Sequence, residues 1–285
     1  MTDAETNAQK AAAYYDNDDV AAFYQLCWGG ADIHIGRYDT GTESVGDASN
    51  AMTRYLLSLA NLKEGDRVLD IACGYGGTLR ELVRLGCIAR GIDISRVCVE
   101  EAHHINEVAG FGEKISVGVG DFHDIKSADG IWDACICQES IIHSMSRPKV
   151  FAEVHRVLRP GGVFAFSDIL TAENADLTLV DAAFERLGVR VGDTLADYRR
   201  MAEDTGFEIV HVEERRKDIG SHYAKLAEQL EKPPLELGEA AVRKLKTSIE
   251  RWQLALSGNH ITWACFVACK PSTPQTADTP LAGFQ

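Results

Sequence analysis

Short β-rich runs alternate with amphipathic stretches of helical period along this chain, and that alternation constrains the fold more than any other feature. Candidate strands are Arg67–Ile71, Ile88–Ile92, Ile115–Gly118, Trp132–Cys137, Val163–Ile169, Glu208–Glu213 and Thr262–Ala268. Amphipathic stretches at Thr78–Leu85, Arg96–Ala109, Lys149–Leu158 and Thr194–Thr205 separate most of them. A helix between two strands carries the chain back along the sheet, so the strands run parallel and helices cover both faces. The expected fold class is α/β, Rossmann-like, with a seven-stranded, mostly parallel sheet.

The last strand follows a stretch of helical composition, residues 221–258, broken by Pro233-Pro234. The first 60 residues also read as helical. The expected organisation is an N-terminal helical cap over 1–60 and a ligand-binding core over 61–220. A helical insertion over 221–258 completes the cap, the last core strand occupies 259–270, and 271–285 forms a flexible tail holding three of the seven prolines.

Charge and composition exclude several functions. The chain of 285 residues has 43 acidic against 29 basic residues and a net charge of −14, with no basic run to neutralise phosphates, so no nucleic-acid partner is expected. The opening MTDAETNAQK lacks the apolar region of a signal peptide, and no window approaches the roughly 18 uncharged apolar residues of a membrane span. A cytoplasmic protein with no membrane partner is expected. The eight cysteines form no CxxC pair. Cys135 and Cys137 share one face of a strand and read as small buried hydrophobes, and the adjacent His103 and His104 read as surface. No metal is expected.

Ligands of open α/β sheets bind beyond the C-terminal strand ends, where the strand order reverses. After the first strand comes Asp70-Ile-Ala-Cys73-Gly74-Tyr75-Gly76-Gly77, whose glycines permit a sharp turn and close approach of a ligand to the backbone. A dinucleotide fingerprint would need a third glycine where Leu79 stands, which argues against a nicotinamide oxidoreductase. The second strand ends in Gly91-Ile92-Asp93-Ile94, with Asp93 at the spacing of an acid that grips ribose hydroxyls. Gly120-Asp121-Phe122 follows the third strand, an acid and an aromatic suited to an exocyclic amine and an adenine ring. The fourth strand runs into Gln138-Glu139-Ser140-Ile141-Ile142-His143, and Arg159-Pro160-Gly161-Gly162 turns into the fifth.

This ordered series resembles the class I S-adenosylmethionine-dependent methyltransferases over roughly residues 65–170. The resemblance implies S-adenosylmethionine as cofactor, with Gly74 and Gly76 along its methionine part. It implies that Asp93 holds both ribose hydroxyls, Ile94 packs on the adenine, Asp121 takes the adenine amine, and Gln138 lies near the sulfonium. The run Tyr14–Tyr38, the segments 72–77 and 138–144, and His260-Ile261-Thr262-Trp263 are similar to the sarcosine/dimethylglycine N-methyltransferases of glycine betaine synthesis. That likeness spans most of residues 14–270, and phosphoethanolamine and several natural-product methyltransferases share parts of it. The chain departs from the pattern at Ser167-Asp168-Ile169-Leu170, at Gln138-Glu139 in place of Gln-Asp, and in lacking an early arginine in the helix 49–59.

Methyl transfer from a sulfonium is an in-line displacement by a neutral amine, so a site must favour the deprotonated acceptor or take its proton. His143, after the fourth strand, is the candidate proton acceptor. The resemblance implies Tyr15 as its partner and latch, and Arg186 as the cation for an acceptor carboxylate. Trp28 is a candidate for cation–π contact with the growing ammonium, and His34 lies in a loop expected to lid the cofactor. The expected acceptor is a small amino-acid-like molecule, sarcosine or dimethylglycine first, and the expected state is a monomer or homodimer. Methionine sulfur, a phosphobase, a natural-product scaffold or non-catalytic cofactor binding remain the alternatives.

Overall fold

The computed structural model describes residues 13–15, 18–30, 32–189 and 191–272. The last thirteen residues of the expected tail, and the first twelve of the expected cap, lie outside the described residues. Seven strands form one sheet: β1 (Arg67–Asp70), β2 (Ile88–Asp93), β3 (Ile115–Val119), β4 (Trp132–Gln138), β5 (Leu158–Thr171), β6 (Glu208–Glu214) and β7 (Ile261–Cys269). Their spatial order is β3-β2-β1-β4-β5-β7-β6, parallel throughout except for β7, which runs antiparallel to both neighbours. The order reverses between β1 and β4, and a crevice forms beyond their C-terminal ends.

The helices, in chain order, are α1 (Asp18–Phe23), α2 (Val45–Leu59), α3 (Gly77–Arg84), α4 (Arg96–Val108), α5 (Arg147–Val157), α6 (Leu177–Phe184), α7 (Leu195–Asp204), α8 (Arg216–Leu230) and α9 (Glu239–Ser257). Local chemistry starts several of them. The Ser95 hydroxyl accepts the Cys98 N–H at 3.0 Å, and Thr194 and Asp197 cap α7 reciprocally. The expected strands and core helices are present to within a residue or two at most ends. β5 is the exception at its start, since Leu158 pairs with Trp132 across the Pro160-Gly161 bend. α6 escaped the periodicity reading because its sequence, LTLVDAAF, is apolar at most positions and shows little polar face.

Alternation divides the core. Val68, Ala134 and Ile136 face one layer with Met52, Leu56, Leu79 and Trp252, while Leu69, Cys135, Cys137, Phe164 and Phe166 face the other with Phe151 and Tyr198. Cys135 and Cys137 are thus buried on one face, all eight cysteines are free, and His103 and His104 are exposed.

The described part of the N-terminal region is less helical than expected. α1 passes into a π-helical turn, Tyr24–Trp28, which Gly29 ends, and the described residues from there to Ser44 hold no helix. This loop lies tight on α2, where a β-carbon on Gly36 would stand 2.4 Å from that of Ala48. It is tied to α8, because Gly36 N–H donates to His222 Nδ1 at 3.1 Å and Tyr38 N–H to Asp218 Oδ1 at 2.7 Å. α8 begins five residues before the expected insertion, and α9 packs against α8 and α6.

Candidate functional site

The crevice at the β1/β4 switch is a cleft walled by four strand ends and the N-terminal loop. Gly74, Asp93, Ile94, Asp121, Phe122, Gln138, His143, Tyr15 and His34 all line it. Gly76 does not line the cleft but caps α3, with φ of 78°, and Gly74 has φ of 49°. Both values lie in the left-handed region that glycine enters without strain. The turn therefore lays bare backbone along the cleft floor.

Asp93 is 9% exposed, and its oxygens accept the N–H groups of Gly74 at 2.8 Å and Ser95 at 2.9 Å. The carboxylate locks the β1 turn to the β2 end and keeps lone pairs for hydroxyl donors. Asp121 accepts both the backbone N–H and Nδ1–H of His123, at 2.8 and 2.7 Å. Burial alone would raise its pKa, but the His123 bonds outweigh burial and lower it. Gln138 donates its amide to Thr78 Oγ1 at 3.0 Å, while its Oε1 is buried with no protein partner. An unfilled buried acceptor at the cleft floor suits a ligand donor such as an ammonium.

Three further residues lining the cleft were given no role in the sequence reading. Asp70 is 3% exposed, and burial, reinforced by Asp93, pushes its pKa up to about 7. Asp32 faces His34 at 3.7 Å and accepts from Asn50 at 3.0 Å. Burial opposes the charge on His34, but Asp32 prevails and raises its pKa. Glu139 adopts a left-handed φ of 46°, a strained conformation for a non-glycine residue. Its carboxylate accepts Ile35 N–H at 2.7 Å, Trp263 Nε1–H at 2.8 Å and the Ser167 hydroxyl at 2.5 Å, tying the loop to β5 and β7. The departure from Gln-Asp at this position marked it in the sequence; its partners did not.

At the far end of the cleft the Tyr15 hydroxyl lies 3.1 Å from His143 Nε2, with the rings edge to face at 5.7 Å. Burial first, then the charges of Arg147 and Arg186, pushes the His143 pKa down to about 4. The imidazole is therefore neutral at pH 7, and Nε2 shares one hydrogen bond with the tyrosine hydroxyl. This qualifies the expectation for His143, because a group of that pKa holds an abstracted proton poorly.

Trp28 and Arg186 lie outside the cleft lining. Trp28 is 5% exposed, gives its indole N–H to the His34 carbonyl at 3.1 Å, and packs among Phe23, Tyr24, His222 and Tyr223. Its ring is an interior support of the loop, held among these four rings and outside the cleft lining. Arg186, just after α6, donates to the Tyr14 hydroxyl and to Ser248 Oγ at 3.2 Å. Among the described residues no carboxylate pairs with it. Tyr14 packs edge to face on Tyr15 at 5.0 Å, so Arg186 stands one aromatic ring behind the latch. The described residues hold no group of three His, Cys, Asp or Glu side chains placed for a metal ion, and no helix long and apolar enough to cross a membrane.

A seven-stranded sheet with its final strand reversed, a glycine turn after β1, acids at the ends of β2 and β3, and an unfilled acceptor at β4 define a class I S-adenosylmethionine-dependent methyltransferase. Comparison with known proteins agrees. A methyltransferase domain family model matches residues 69–166. The sarcosine/dimethylglycine N-methyltransferase of Aphanothece halophytica is 31% identical over 277 residues, 95% of this chain and 100% of that one. The enzyme of that name from Halorhodospira halochloris is 31% identical over 264 residues, 90% of this chain and 95% of that one. A crystal structure of a protein from Galdieria sulphuraria superposes with a TM-score of 0.83 at 27% identity, covering 90% of this chain and 99% of that one. The chain belongs to the sarcosine/dimethylglycine N-methyltransferase family.

Proposed function

We propose that this protein methylates the amine of sarcosine and dimethylglycine, yielding glycine betaine. The observation that carries the acceptor is Arg186. Its guanidinium is held by hydroxyls, among them Tyr14 and Ser248, with no carboxylate counterion among the described residues. Arginine's planar fork matches a carboxylate, and a guanidinium without a carboxylate partner, one aromatic ring behind the latch, favours an anionic acceptor at that end of the cleft. Family membership supports the same reading.

S-adenosylmethionine, when bound, supplies an already activated methyl group. Asp93 would hold its ribose, Asp121 and Phe122 its adenine, and Gln138 with Asp70 its amino-acid ammonium. The protein's own work is then positioning and desolvation. An acceptor ammonium brought into this enclosed end meets lost hydration and the positive field of Arg186 and Arg147, and both favour its neutral, nucleophilic form. Tyr15 and His143 close the cleft over it and exclude water. The described part of 1–60 and the segment 221–258 together form the cap, which carries Tyr15, while His143 comes from the core beyond β4, and the enzyme acts as a monomer or homodimer in the cytoplasm.

The test is an acceptor panel of glycine, sarcosine, dimethylglycine, methionine and phosphoethanolamine, followed by S-adenosylhomocysteine release and product mass. Turnover with sarcosine or dimethylglycine is expected. Arg186→Leu should raise the KM for that acceptor about 10–100-fold and leave S-adenosylhomocysteine binding unchanged. Turnover with methionine alone would overturn the amine reading.

A further inference from the structure

Behind His143 lies a buried polar cluster of which methyl transfer as described uses only the charge of Arg147. Arg147 at the start of α5, Asp168 on β5 and Tyr198 on α7 are each 1% exposed or less. The Tyr198 hydroxyl donates to Asp168 Oδ2 at 2.7 Å and accepts Arg147 Nε–H at 3.1 Å. Arg147 Nη1 pairs with Asp193, in the loop before α7. Its remaining nitrogen, Nη2, donates to the carbonyl of Ile142 at 3.0 Å. Ile142 is the middle residue of the single 3₁₀ turn, Ile141–His143, that presents the imidazole to the cleft. A buried ion pair is a weak source of stability against a well-packed apolar replacement, so stability by itself gives little reason for this cluster.

We propose that Asp168, Tyr198 and Asp193 orient Arg147 as a positioning residue for His143, clamping its turn through the Ile142 carbonyl and holding a fixed positive charge behind the imidazole. The proposal rests on the reading that His143 serves the acceptor end of the methyltransferase cleft. The charge matters as much as the clamp. His143 faces Tyr15 from the N-terminal segment, Arg147 from α5 and Arg186 from the segment after α6, while Asp70, Asp93, Asp121, His123 and Glu139 line the same cleft. The four carboxyl groups of the cleft do not set the charge of the imidazole. Burial and the two arginines do, and they lower its pKa to about 4. A neutral ring is what lets the Tyr15 hydroxyl donate to Nε2.

Two measurements separate clamp from charge. The first follows the titration of His143 by NMR in protein with isotope-labelled histidine, which needs no turnover and so stands even if every acceptor is refused. The second is the pH profile of kcat/KM. Arg147→Met removes charge and clamp, and His143 should then titrate about one pH unit higher, with the acid limb of the profile moving likewise. Arg147→Lys keeps the charge and loses the fork. It should leave the titration in place, lower kcat about tenfold and preserve S-adenosylhomocysteine binding. Tyr198→Phe should behave like the lysine variant, and these two carry the test if the methionine variant fails to fold. A folded Arg147→Met protein with wild-type His143 titration, or Arg147→Lys and Tyr198→Phe proteins at full kcat, would overturn the proposal.

Discussion

Replacing Asp70 by asparagine removes a charge that the ligand-free fold holds at a cost. The carboxyl ends β1 at the cleft floor, and burial with the neighbouring Asp93 charge pushes its pKa from the ordinary 3.8 to about 7. The Ala72 N–H, at 3.2 Å, and the Thr78 hydroxyl stabilise the ion but do not offset burial. Between pH 4 and 7 the folded carboxyl keeps a proton that the unfolded chain has lost. The stability this group contributes therefore falls as pH rises, by about 1.4 kcal/mol per pH unit, to a total of roughly 4 kcal/mol by pH 8. Asparagine has the same shape, accepts the same Ala72 N–H and carries no charge. Asp70→Asn should be about 2–4 kcal/mol more stable than the parent at pH 8, and the gain should shrink to about 1 kcal/mol at pH 5. Urea unfolding followed by circular dichroism, without cofactor, at the two pH values reads this directly. An advantage equal at both pH values, or larger at pH 5, would refute the reasoning. The same variant should bind S-adenosylhomocysteine about tenfold more weakly, because the removed charge is the one that would face the ligand's ammonium.

Two other outcomes follow from the geometry. Asp93→Asn leaves one acceptor for two backbone donors, Gly74 and Ser95, and turns an amide toward the ribose. Calorimetry should find S-adenosylhomocysteine affinity lowered about 10–100-fold, and a change under threefold would remove Asp93 from the cofactor site. Trp28→Ala should cost about 3–5 kcal/mol in urea unfolding, as for a large buried aromatic, whereas Trp28→Phe should retain kcat/KM within about threefold. A collapse of kcat/KM in the phenylalanine variant, with stability kept, would return Trp28 to the acceptor site.

Much of the fold and cofactor cleft was legible because its signals are local. β1 to β4 alternate or run apolar over a few residues, and at or just beyond the end of each stands a residue that lines the cleft: Gly74, Asp93, Asp121, Gln138. The N-terminal loop was not legible. Its path is set by Gly36 against Ala48 and by Asp218 and His222, about 180 residues away in sequence, and no short window contains both sides of such a contact. Glu139 stood out as an unusual residue in its motif, yet its three partners, Ile35, Ser167 and Trp263, come from three distant segments.

By itself the sequence determined the strand and helix periods, the glycine turn and the acids at the strand ends, since backbone preference and side-chain period act over a few residues, and the resemblance those motifs carry implied the cofactor. Only the tertiary structure decided which candidates meet. It set Trp28 in the interior, stood Arg186 behind Tyr14, and joined Tyr15 to His143 across 128 positions. It also decided which groups carry charge, leaving His143 neutral and Asp70 near its midpoint at pH 7. Charge state depends on desolvation and on fields summed over every neighbour, and those neighbours are assembled only by the fold.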